Sequence, residues 1–113
     1  MRYGMTFAVD MYDFESGKES HLVAMPGDYI RMGAWADKEL PAADGPDDAE
    51  TVRILRRNYA IVWHALKRLG RLAEFGLPET LDVTAIDAMA DRFAVDVNEL
   101  KEGDLPLAKR PAK

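Results

Sequence analysis

The chain has 113 residues, 48% hydrophobic and 31% charged, enough for one domain with a modest core. It has no cysteine, which excludes disulfide scaffolds, thiolate metal sites and thiol nucleophiles. Its net charge of -5 opposes nonspecific nucleic-acid binding by the whole surface, because phosphate neutralisation drives such binding. Two distant histidines, His21 and His64, leave little material for a histidine metal site, and the apolar runs are too short to span a bilayer. We therefore expect no metal, no cofactor, no membrane partner and a cytoplasmic location.

In chain order, residues 5–14 alternate imperfectly, as a half-buried strand does, and residues 15–18 supply turn chemistry around Gly17. Residues 21–25 read as the returning strand of a hairpin. Asp28 is the expected N-cap of a helix over 29–38, whose apolar side carries Tyr29, Ile30, Met32, Gly33 and Trp35. Residues 40–48, acidic and proline-containing, read as a linker. A long helix is expected over 47–70, with acids near its start, Lys67 and Arg68 near its end, and Gly70 closing it. A bend over 71–78 leads to a short helix capped by Asp82 or Thr84 and running through Ile86, Met89, Ala90 and Phe93. Residues 94–97 suit either a further helical turn or a small strand. The expected architecture is α+β: an N-terminal β-hairpin packed on a mostly helical body with one long central amphipathic helix. Residues 1–103 read as a single globular domain, and 104–113 as a basic disordered tail.

The long helix sorts into faces at about 100° per residue. Arg53, Arg56, Arg57, His64, Lys67, Arg68 and Arg71 form a basic arc, with Val52, Leu55, Tyr59, Val62, Trp63, Leu66 and Leu69 opposite. Ile54, Ile61, Ala65 and Leu72 widen the apolar side to roughly half the circumference, so the helix wants neighbours on more than one side. The basic arc suits a phosphate backbone, an acidic protein or simple solvation. His64 lies within it, without a carboxylate at helical spacing to make a pH switch or a nucleophile to serve as a base. Trp35, Tyr59 and Trp63 read as core in preference to an aromatic binding surface. Asp10, Asp13 and Glu15 lack the glycine and closing glutamate of a calcium loop and read as a solvated strand face.

The order of parts resembles the tail assembly chaperones of long-tailed bacteriophages over most of residues 5–100. The resemblance is carried by the Val9-Asp10-Met11-Tyr12-Asp13-Phe14 strand and turn, the Met25-Pro26-Gly27-Asp28-Tyr29-Ile30 helix entry, and the helix of residues 59–70 ending in Arg68-Leu69-Gly70. It implies a noncatalytic protein of the host cytoplasm that binds the tape-measure protein during tail assembly and keeps its apolar helices soluble until tube protein replaces it. Under that reading the client stripe is Ile54, Ile61, Ala65 and Leu72, because the domain's own core can use the Val52, Leu55, Tyr59 and Trp63 side. Self-association into a homo-oligomer would use the same flank.

A small helical DNA-binding regulator is the alternative, with residues 84–100 as a helix-turn-helix. The acids Asp96, Glu99 and Glu102 oppose insertion of its second helix beside phosphates. An enzyme is the least supported class, since no spacing joins an acid, a base and a nucleophile.

Overall fold

Successive side chains of a strand point to opposite faces, so the run from Ala8 to Asp13 presents Val9, Met11 and Asp13 on one side and Ala8, Asp10 and Tyr12 on the other. The computed structural model describes the backbone of residues 2–40 and 49–101 and the side chains of 6–40 and 50–100. In it this run belongs to strand β1, Arg2–Asp13, which pairs antiparallel with β2, Glu19–Ala24, on one edge and with β3, Phe93–Lys101, on the other. Val9 stands between Leu22 and Val97, and Met11 between Ser20 and Val95, on the face covered by helices. One residue out of phase, Asp10 stands between His21 and Asp96, and Tyr12 between Glu19 and Ala94, all exposed.

The hairpin turn follows the expected chemistry. The Asp13 carboxylate accepts from the Glu15 N–H and the Ser16 hydroxyl, and Gly17, at φ +74°, donates its N–H to the Asp13 carbonyl.

Helix α1 runs from Pro26 to Glu39, three residues earlier than expected. Proline's fixed φ suits the first helical position, which makes Met25 the N-cap and Asp28 the third helical residue. Asp28 reaches back from there, its Oδ2 accepting the Met25 N–H at 2.8 Å. Helix α2, Ala49–Arg68, is the long central helix. It closes on Gly70, at φ +70°, through an Arg71 N–H to Leu66 carbonyl bond and a Gly70 N–H to Lys67 carbonyl bond, the paired bonds of a Schellman motif. The same pattern recurs at once around the 3₁₀ turn Ala73–Phe75, where Leu77 and Gly76 donate to Leu72 and Ala73. Asp82 is the cap of helix α3, Val83–Arg92, its Oδ1 accepting the Ala85 N–H at 2.7 Å.

Phe93, expected inside that helix, is the first residue of β3, and residues 94–97 are strand. Val95 and Val97 alternate with Asp96 and Asn98 beside a free edge of β1, a pattern that fits a pleated ladder and not a helix. The second helix of the DNA-binding alternative is therefore absent from residues 93–101. Leu40, the first residue of the expected linker over 40–48, is the buried C-cap residue of α1; the rest of that linker, the first two residues of the expected long helix and the expected tail over 104–113 lie outside the described residues.

Three aromatic side chains pack their rings against the core, Trp63 buried and Trp35 and Tyr59 half-buried, and bond their polar tips to carbonyls of distant segments. Trp35 Nε1 donates to Leu81, Trp63 Nε1 to Pro78, and the Tyr59 hydroxyl to Phe93. The two tryptophans hold the connection between α2 and α3 against the body.

Asp28 is fully buried and gathers the helices at the end of β2. Its carboxylate accepts from Arg31 of α1 at 2.7 Å and from Arg68 Nε of α2 at 3.1 and 3.2 Å, while Arg68 Nη2 donates to the Val23 carbonyl of β2. Removing one partner of a buried pair leaves uncompensated charge, at about 3 to 5 kcal/mol. Asp28→Ala is expected at the low end, about 3 kcal/mol, because both arginines can turn to solvent. Arg68→Glu, which sets a second carboxylate against Asp28, should be at least as damaging, whereas Arg57→Glu should stay within about 0.5 kcal/mol of the wild type. Urea denaturation checks all three.

Candidate functional site

Exposure on α2 divides along its axis more than around it. Leu55 and Val62 stand seven residues apart on one stripe, yet Leu55 is 52% exposed and Val62 0%. Val52 and Leu55, expected in the core, are exposed because no described element covers the first turns of the helix on that side. Conversely, Ile61 (2%), Ala65 (0%) and Leu72 (4%) are core residues, so the expected client stripe reduces to Ile54, which is 50% exposed. Periodicity supplies an angle about the helix axis, and it is silent on which turns have neighbours.

Ile54 nevertheless belongs to a concave feature. Glu50, Ile54, Arg57, Asn58 and Ile61 of α2 form one wall of a groove of about 390 Å³, Phe7 of β1 and Val97 of β3 come from the sheet, and Tyr29 and Met32 of α1 close the far side. At 100° per residue the five α2 positions fall within an arc of about 100°. Ile61 is the buried base of the groove and Ile54 its open rim. The Phe7 and Tyr29 rings meet at 5.8 Å between centroids, tilted by 33°. The groove thus joins Ile54, Ile61 and Arg57 of the expected site residues and leaves Ala65 and Leu72 inside the core. Phe7, Tyr29, Met32 and Val97 were not expected there. The alternation of Val95 and Val97 was the signal for β3, and only the sheet order makes Val97 a neighbour of Phe7.

Three of the seven residues of the basic arc are in ion pairs within the fold. Arg56 holds Asp87 through two bonds, Arg68 holds Asp28, and Arg71 holds Glu74 while lying 5.3 Å from the Phe75 ring centre. Lys67 sits 5.1 Å from the Trp63 ring centre, and Arg53 is also engaged. The arc is therefore neither a free phosphate-docking face nor merely solvated. Arg57 differs: with Glu50, it faces the groove in no ion pair among the described residues.

His64 is half-buried, its ring edge-on to Trp63 at 5.0 Å and its Nε2 buried without a hydrogen-bond partner among the described residues. Desolvation is the main influence depressing its pKa, joined by the positive charges of Arg31 and Lys67 and opposed by Asp28.

The acids near the first turn separate onto different sides of the sheet. Asp10 pairs with His21 at 2.6 Å on the open face, whereas Asp13 turns inward to Arg92, which also reaches Glu15. The Arg92 bond holds the Asp13 carboxyl well below the usual carboxylate range. Among the described residues no group of three or more histidine or acidic side chains is placed to hold a metal ion.

Two measurements probe these assignments. Ile54→Asp should fold with stability within about 0.5 kcal/mol of the wild type, whereas Ile61→Asp, which buries a carboxylate, should cost at least about 3 kcal/mol. As pH falls below about 6.5, the unfolded chain takes up a proton at His64 that the folded protein resists, so stability should decline through that range. His64→Gln should flatten the decline, read as urea midpoints between about pH 7 and pH 5.

No protein-family model matches this chain, and no characterised protein or solved structure matches it either.

Proposed function

We propose that this protein is a noncatalytic assembly chaperone of the phage tail kind, acting in the host cytoplasm and holding an apolar helical stretch of a tape-measure protein in the groove beside α2. The observation that carries this reading is the groove itself, with the apolar side chain of Ile54 exposed at its rim. Helix-in-groove docking is the mode suited to an extended helical client. The hairpin, the helix entry at Pro26 and the long helix closing at Gly70 stand in the order that carries the family resemblance. Against a DNA-binding regulator, Arg56, Arg68 and Arg71 are committed to carboxylates of the same chain, and residues 93–101 are strand. No helix among the described residues is long and apolar enough to cross a membrane.

The test is coexpression with a tape-measure protein, followed by size-exclusion chromatography with light scattering. A soluble joint complex is expected with the wild type, and Ile54→Asp should weaken it at least tenfold. A client that remains insoluble, or elutes apart, would sink the reading. Assembly into a larger species by the chaperone alone, abolished by the same substitution, would make a second copy the natural occupant.

A further inference from the structure

Resting on that reading, we infer that the groove selects an amphipathic helix bearing one acidic and one basic residue two turns apart at the border of its apolar stripe, laid antiparallel to α2. Glu50 and Arg57 are seven residues apart on the same arc of α2, about 10 Å along its axis. They are of opposite sign, and neither is in an ion pair among the described residues, although most of the surrounding arginines are paired. Apart from Asn58 beside Arg57, the lining between and beyond them is apolar or aromatic, with Ile54 between the two charges and Ile61, Phe7 and Val97 further in. A client that fills this lining brings its own border residues opposite Glu50 and Arg57. Like charges there are repelled in a partly desolvated setting, and a base facing Glu50 with an acid facing Arg57 is attracted at both ends.

The wall formed by α2 from Glu50 to Ile61 spans eleven steps, about 16 Å or three turns. A volume of about 390 Å³ receives a row of side chains and not a whole backbone, so the client helix rides on the rim with its stripe inserted. Side chains spaced i, i+4 and i+7 on the client meet the same spacing on α2. The macrodipoles decide the direction. An acid near the client's N-terminus and a base seven residues later suit its own dipole, and that order faces Arg57 and Glu50 only when the client is antiparallel to α2.

The probe is a set of fluorescein-labelled 18-residue peptides sharing one leucine stripe, with border residues Glu then Lys, Lys then Glu, Lys and Lys, or Glu and Glu at i and i+7. Anisotropy titration at low salt is expected to rank Glu-then-Lys first, with the like-charged peptides about fivefold weaker, as two partly exposed pairs of order 0.5 kcal/mol each would give. Arg57→Glu should invert the ranking in favour of Lys and Lys, which simple loss of folding cannot do. Equal affinity of all four peptides for both proteins, with binding abolished by Ile54→Asp, would overturn the charge selection and leave the docking reading standing. Failure of every peptide to bind would overturn both. A peptide with a central proline that competes equally would show that the groove takes an extended segment, which also overturns the inference.

Discussion

A carboxylate taken completely out of water must be matched by donors or the fold does not form, and Asp28 imposes that condition on three elements at once. Its oxygens accept from the backbone at the start of α1, from Arg31 one turn along the same helix, and from Arg68 at the end of α2. Arg68 in turn takes up a carbonyl of β2. The end of the hairpin, the entry of the first helix and the exit of the second are therefore set by one charge. The arrangement is directional in a way that apolar packing is not, since a guanidinium bonded to both a carboxylate and a carbonyl fixes orientation as well as distance.

A second arginine does the equivalent work at the opposite end of the strands. Arg92 leaves α3 to meet Asp13 and Glu15 at the hairpin turn, lies 5.0 Å from the Phe93 ring centre, and has an Nη1 only 3.2 Å from where a Cβ on Gly76 would stand. At Gly76 the left-handed backbone and the close guanidinium both favour a residue without a side chain. With both ends of the sheet held by charge and the middle by aliphatic packing, the open concavity beside the first turns of α2 is not a defect of a loosely packed protein.

Much of the architecture is legible in the sequence. The strand alternation around Val9 and Met11, the turn at Gly17 and the long helix closing at Gly70 all follow from local chemistry, and of the two candidate caps, Asp82 and Thr84, Asp82 is the one that caps α3. What local pattern lacked was the third dimension. Leu55 and Val62 are indistinguishable by angle and differ entirely in burial, because the difference lies in which neighbours reach each turn. The groove was legible only in part for the same reason: Ile54, Arg57 and Ile61 share a helix face visible in the sequence, whereas Phe7, Tyr29 and Val97 arrive through tertiary pairing. Asp28 and Arg68 each have a helix-end role that local sequence suggests, whereas their contact spans forty positions and leaves no local signal.

The direct passage from α3 into β3 has a kinetic consequence. The ladder between β1 and β3 joins Asp13 to Phe93 and Phe7 to Glu99, so its strands meet only after about eighty intervening positions have been gathered. The hairpin between β1 and β2 closes across a turn of a few residues and can form on the microsecond scale typical of such units. The central strand thus acquires one neighbour early and the other late, and until β3 arrives its second edge is an unsatisfied template. A chain of this order has a built-in interval during which β1 is open to pairing with other strands, and how quickly α3 delivers Phe93 sets the length of that exposure.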